Sequence, residues 1–274
     1  MRDMKNGKRI LAVLGIIILL AAVSLPMFFA FGTGEGSEGR FRASWAVAIV
    51  VPVMGYVFWL IYRVLNRRRA EPEGKIRNII FDVGNVLVTF DWKSYLDSFG
   101  FPEEEKQAFI KGMFTHPVWN ERDRGSLPDE EYLNQCIRQI PGYEEDVRRV
   151  WEGIRHTISP RDYSLTWTGY LKERGYKLYI LSNYSARVLE ETKEFMTFRR
   201  NMDGEIFSCN VHLCKPEPEI YQTLLERYKL VPGECVFIDD SEANCEGARE
   251  AGMYAVHFRD FKQGVSELQK LGVY

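Results

Sequence analysis

The sequence predicts an α/β fold: a parallel sheet carrying a helical insertion, preceded by two transmembrane helices. Three observations carry this. Residues 10–31 and 43–62 are uncharged runs, each long enough to cross a bilayer as a helix. From Ile76 onward, short β-branched or aromatic runs alternate with helical stretches. The chain between the first two of those runs is too long for one crossover helix.

Between the two spans, residues 32–42 are glycine-rich and polar, as a tight hairpin loop requires. Pro26 and Pro52 fall inside the runs, where membrane helices tolerate them, and Trp45 and Trp59 suit an interfacial aromatic belt. A cleaved signal peptide fits less well, because the first apolar run is longer than a usual signal core and no A-x-A site follows it. Arg2, Lys5, Lys8 and Arg9 precede the first span, and Arg63, Arg67, Arg68 and Arg69 follow the second. The loop holds only Arg40 and Arg42, offset by Glu35 and Glu38, so both termini and the folded domain are expected in the cytoplasm. Residues 1–66 thus read as a membrane hairpin, 67–75 as a basic linker able to attract anionic lipid, and 76–274 as the folded domain.

The 36 basic and 38 acidic residues leave a formal charge of −2, and no basic patch interleaves with aromatics, which argues against a nucleic-acid partner. Five cysteines (Cys136, Cys209, Cys214, Cys235 and Cys245) are odd in number and form no CxxC pair, so they read as small packing residues in a reducing compartment.

Strands are expected at 77–81, 177–181, 205–208, 235–238 and 254–257, with helices near 186–195, 217–228 and 243–251 between the later ones. This is the alternation of a Rossmann-like parallel sheet. The long gap holds helical segments near 92–98, 103–113, 129–140, 143–156 and 160–174. The middle ones are expected to lie over the carboxyl edge of the sheet, where such sheets bind ligands.

Chemistry collects at the same edge. The first strand runs into Asp82 and a turn containing Gly84, although a lone strand-end aspartate as often caps a turn. The second ends in Ser182-Asn183, which would equally serve as a helix N-cap. Lys215 precedes a proline-started helix, a place where a solvated surface charge is commoner. The fourth strand ends in Asp239-Asp240, adjacent acids that repel unless a cation such as magnesium neutralises them.

In this order the four sets resemble the haloacid dehalogenase superfamily over residues 76–274, and NCEGAREAGM at 244–253 matches its trailing segment. The insertion, at about 92–160, resembles that superfamily's small α-helical cap; the membrane hairpin lies outside the resemblance. FDVGNVL at 81–87, WNERDRG at 119–125 and CKPEPEIY at 214–221 look most like the bacterial α-D-glucose-1-phosphate phosphatase group.

The resemblance implies a phosphatase acting on a small phosphorylated metabolite, with Asp82 attacking the phosphorus to give an aspartyl-phosphate. It implies Mg2+ held by Asp82, the Gly84 carbonyl and Asp240, with Asp239 nearby, and phosphoryl oxygens bound by Ser182, Asn183 and Lys215. Asn244 would brace the acidic loop. Trp119, Asp123 and Arg124 are the candidate cap contacts, Trp119 reading more readily as a packing residue. One position departs from the pattern: Gly84 stands where most phosphatases of the superfamily carry a second aspartate as general acid and base. The leaving group must then need little protonation, which favours a sugar C1 phosphate, unless Asp123 or Glu121 supplies the acid from a cap loop. Two alternatives stand beside this: a dehalogenase, which usually carries a tyrosine at the Gly84 position, and a membrane-tethered scaffold with a degenerate site.

Overall fold

The computed structural model describes residues 76–274. The expected spans at 10–31 and 43–62, their loop and the linker lie outside the described residues. Among the described residues no helix is long and apolar enough to cross a membrane.

In chain order the domain opens with β1 (Asn78–Phe81) and β2 (Val88–Phe90), then five helices, α1 (Trp92–Asp97), α2 (Glu103–Phe109), α3 (Val118–Arg124), α4 (Asp129–Gln139) and α5 (Glu144–Glu152). Next come β3 (Ile158–Pro160), α6 (Ser164–Glu173), β4 (Lys177–Ser182), α7 (Ala186–Thr192), β5 (Gly204–Phe207) and the single turn α8 (Ser208–Val211). The chain finishes with α9 (Pro218–Tyr228), β6 (Cys235–Asp239), α10 (Glu242–Glu250), β7 (Tyr254–His257) and α11 (Phe261–Lys270).

Five strands form one parallel sheet in the order β5-β4-β1-β6-β7. The middles of its central strands are apolar because both faces are covered. Ile79 and Phe81, with Leu178, Ile180, Val236 and Ile238, pack into one core, while Ile80, Tyr179, Leu181 and Phe237 pack into the other. This is the period-two alternation of a strand buried on both sides. The chain winds outward from β1 through β4 to β5, then crosses back to place β6 on the other side of β1. The crevice at such a reversal, beyond the carboxyl ends of the strands, is where ligands bind. The five cysteines are buried and free, as packing residues should be.

The expected strands are present, with bounds shifted by a residue at most sites. The insertion is arranged differently from its sequence pattern in three respects. An antiparallel ribbon pairs Val88 with Pro160 and Phe90 with Ile158, bringing the two ends of the insertion together. The segment at 119–125 is not a solvated loop: Val118–Arg124 is a helix with Val118, Arg122 and Asp123 buried. The 160–174 helix starts at Ser164, since Pro160 belongs to the ribbon.

Gly125 ends α3 in the left-handed region at φ 74°, and a Cβ there would lie 2.8 Å from the Cys209 carbonyl oxygen. Gly125→Ala is expected to lower stability by about 1–2 kcal/mol from backbone strain alone. The check is a lower urea midpoint at unchanged slope; an unchanged midpoint contradicts the close cap–core contact.

Candidate active site

Parallel strands carry their C-terminal residues to one edge, so the end of β1 meets the end of β6. Phe81 pairs with Ile238, and the backbone N–H of Asp82 donates to the Ile238 carbonyl at 2.9 Å. Asp82 and Asp239 therefore stand side by side. Between their carboxylates lies the buried ammonium of Lys215, 2.8 Å from Asp82 Oδ1 and 2.6 Å from Asp239 Oδ2. Burial alone would push the lysine toward neutrality, but Asp239 and Asp82 outweigh it and hold its pKa above the ordinary value. Asn183 fixes the lysine's backbone from β4: its Oδ1 accepts from the Lys215 N–H at 2.8 Å, and its Nδ2 donates to the Lys215 carbonyl at 3.0 Å.

The two adjacent acids separate in role. Asp239 is fully buried, and besides Lys215 its oxygens accept from the Ser241 N–H at 2.8 Å and from Asn244 Nδ2 at 3.0 and 3.1 Å. It anchors the site, and Asn244 braces the acidic loop as expected. Asp240 takes one hydrogen bond from Asn85 Nδ2 at 2.9 Å, and burial raises its carboxyl pKa. Burial likewise pushes Asp82 up to about 7; Lys215 opposes the shift and Asp239 adds to it.

Oxygen atoms of Asp82, Asp239 and Asp240 all lie within 4.8 Å of one another. Three carboxylates against one ammonium leave a negative excess, and a set of carboxylate oxygens suits a hard divalent cation. Lys215 occupies Asp82 Oδ1, leaving Oδ2 open. Asp82, Asp240 and the main chain at Gly84, which lines the same cavity, are the better ligand candidates. Both oxygens of Asp239 are already engaged. Ser182, at the end of β4, holds a buried hydroxyl beside Asp82 that hydrogen-bonds its carboxylate and works against the rise in its pKa.

Above this edge is a cavity of about 200 Å³, lined from below by Asp82, Gly84, Asn85, Asn183, Lys215 and Asp240 and from the cap by Trp119, Arg122, Asp123 and Ile154. One of the ties between cap and core is a hydroxyl: Ser208 Oγ donates to the Asp123 carbonyl and accepts from the Tyr184 N–H. Trp119 and Asp123 reach the cavity as expected. Arg124 is not brought together with them; its guanidinium pairs with Glu217 and donates to the His212 carbonyl, outside the cavity lining. Glu121 is also outside the lining, accepting from Ser126 Oγ at 2.9 Å.

Two site residues were not read from the sequence. Arg122 is buried, its guanidinium carbon 3.6 Å from the Trp119 ring centroid and its Nη2 2.7 Å from Asp123 Oδ1. Positions 119, 122 and 123 share a helix face, and 124 does not, so helical periodicity was the available signal. Asn85 sits in the left-handed region at φ 57°, which asparagine tolerates, and its Oδ1 accepts from the Phe90 N–H while Nδ2 holds Asp240.

The model of the haloacid dehalogenase-like hydrolase family matches residues 76–252. The chain is 33% identical to bifunctional epoxide hydrolase 2 of Sus scrofa over 72% of its own length, but spans only 39% of that protein. It is 25% identical to D-ribitol-5-phosphate phosphatase of Bacteroides thetaiotaomicron, covering 65% of this chain and 89% of that one. Among solved structures, a HAD family enzyme from Bacteroides thetaiotaomicron, in complex with magnesium and inorganic phosphate, superposes with a TM-score of 0.56. The two are 22% identical, over 67% of this chain and 94% of the other, and share the fold.

The raised pKa of Asp82 makes a prediction for the metal-free protein. Its folded value of about 7 exceeds the ordinary 3.8. The stability this group contributes is therefore full below about pH 4 and is lost as pH rises through about 7. Thermal melting should show that loss in wild type relative to Asp82→Asn, and magnesium should flatten it. The same slope in both proteins, unaltered by magnesium, would contradict the electrostatics described here.

Proposed function

Since the chain belongs to the haloacid dehalogenase-like hydrolase family, we propose that it is a magnesium-dependent phosphatase that cleaves a small phosphate monoester through an aspartyl-phosphate on Asp82. The observation that carries this is the joint placement of Asp82, Lys215 and the Asp82–Asp239–Asp240 cluster at the floor of one cavity. A dehalogenase has no need of a divalent-cation site, which is what the two carboxylates beside Asp82 suit.

Magnesium held by Asp82, Asp240 and the Gly84 carbonyl would neutralise the phosphate charge that otherwise repels a carboxylate nucleophile. The remaining work belongs to the chain itself. The Asp82 carboxylate attacks the phosphorus in line with the departing ester oxygen. Lys215, the Ser182 hydroxyl and the main chain at Asn183 take the phosphoryl oxygens, so catalysis is chiefly positioning and charge stabilisation. Water then hydrolyses the acyl phosphate and releases inorganic phosphate.

Gly84 leaves no side chain to protonate the leaving oxygen. Asp123, the cap carboxylate in the lining, has its pKa raised by burial, but Arg122 opposes that shift and engages its Oδ1, so it is not a free acid. The substrate therefore needs an alcohol more acidic than an alkyl one. Sugar C1 phosphates meet that condition, and so do aryl and enol phosphates. The membrane hairpin remains our proposal for residues 10–31 and 43–62, with both termini and the catalytic domain in the cytoplasm; protease protection in sealed vesicles tests it.

Two outcomes follow. Asp82→Asn should lower phosphate release by more than about 10³-fold, and chelator should abolish it in wild type. Equal inertness of wild type and variant across a panel of phosphate esters would favour a tethered scaffold instead. A Cβ at Gly84 would meet only Asp82 Oδ2, at 4.0 Å, so the backbone there admits a substitution. Gly84→Asp should raise kcat on alkyl phosphates by about 10²-fold, with little change on para-nitrophenyl phosphate, whose leaving group needs no acid.

A further inference from the structure

We propose that the cap selects esters whose leaving group is flat and largely apolar, an aryl or enol alcohol bearing one uncharged hydrogen-bond acceptor that Arg122 reads. This rests on the phosphatase reading of Asp82 and narrows it to one substrate class.

The cavity wall away from the catalytic floor is mostly carbon: Phe90, Trp119, Ile154, Ile158, Tyr184 and Val188. Its polar groups are nearly all committed. The Thr157 hydroxyl donates to the Ile154 carbonyl at 2.7 Å. Asp123 Oδ1 takes Arg122 Nε at 3.2 Å and Nη2 at 2.7 Å. What is left over is Arg122 Nη1, buried and without a hydrogen-bond partner. A polyhydroxylated alcohol would press most of its hydroxyls against hydrocarbon, each stripped of water with nothing in exchange. A flat ring loses nothing there, and one acceptor would satisfy the free N–H.

The charge on Arg122 is already balanced by Asp123, so its open N–H suits a neutral carbonyl or ether oxygen better than a second anion. Stacking on Trp119 at 3.6 Å, with Tyr132 at 5.3 Å and Trp151 at 5.5 Å, holds the guanidinium plane in place. The empty α-carbon of Gly84 points independently to the same class. When the ester P–O bond breaks, the leaving oxygen keeps the electron pair and takes its proton from water afterwards. A phenolate or enolate oxygen bears that charge; an alkyl alkoxide does not.

The test uses the full chain in detergent with magnesium. Phosphate release is measured from phenyl phosphate, para-acetylphenyl phosphate, para-carboxyphenyl phosphate, α-D-glucose 1-phosphate and D-ribitol 5-phosphate. The aryl esters should exceed both sugar-type esters in kcat/KM by at least about tenfold, with the acetyl ester above the carboxy ester. In Arg122→Gln the acetyl-to-phenyl ratio should fall about tenfold, mainly through KM, because ring chemistry is common to both proteins. Sugar-type esters equalling the aryl ones in wild type would overturn the proposal even if the variant fails to fold. A ratio unmoved in a folded Arg122→Gln would also overturn it. Release from every ester that survives in Asp82→Asn would instead overturn the phosphatase reading beneath it.

Discussion

A buried ammonium between two buried carboxylates is the constraint around which the domain is organised. Lys215 lies 2.8 Å from Asp82 and 2.6 Å from Asp239. Removing one partner from such a set leaves an uncompensated charge, at a cost of about 3–5 kcal/mol. The set is assembled from distant parts of the chain: β1 supplies Asp82, β6 supplies Asp239, and the loop before α9 supplies Lys215. Asn183, from the end of β4, clasps the lysine's backbone from the other side. The parallel sheet makes this economical, because every strand delivers its last residue to the same edge. The register of Phe81 with Ile238 then brings Asp82 level with Asp239.

That organisation explains what was legible in the sequence. Strands buried on both faces show as unbroken apolar runs, so β1, β4 and β6 and the polar residues ending them stood out. Asp82, Ser182, Asn183, Lys215, Asp239 and Asp240 meet at the carboxyl edge for the same reason. The ribbon of β2 and β3 was not legible, since three-residue strands carry too little alternation to read. Helix α3 was hidden by its charge: WNERDRG looks like a solvated loop until Arg122 is seen buried against Trp119. Two arginines at 122 and 124 face opposite sides of one helix turn. Arg122 rather than Arg124 lines the cavity, a difference of helical phase rather than of chemistry. Asp240 showed as a ligand candidate, but its partner Asn85 did not, because a left-handed asparagine leaves no pattern beyond its own identity.

Core and cap divide the work. The core edge holds charge, with a lysine, a buried hydroxyl on Ser182 and an acidic cluster able to take a divalent cation. The cap supplies carbon and one buried guanidinium, held over the floor by the contact of Ser208 with the Asp123 carbonyl. Gly84 connects the two halves. In the reaction we propose, with no acid beside Asp82, the burden of the first step would shift from proton transfer to the leaving group, whose selection we assign to the cap.

The central claim is covalent chemistry at Asp82, and trapping tests it most directly. The full chain would be mixed with magnesium and an aryl phosphate radiolabelled in its phosphoryl group, quenched in acid within a single turnover, and mapped by peptide. A hydroxylamine-labile label is expected on the peptide containing Asp82 and none in Asp82→Asn. Turnover without any labelled peptide, or a label that stays in the variant, would contradict it.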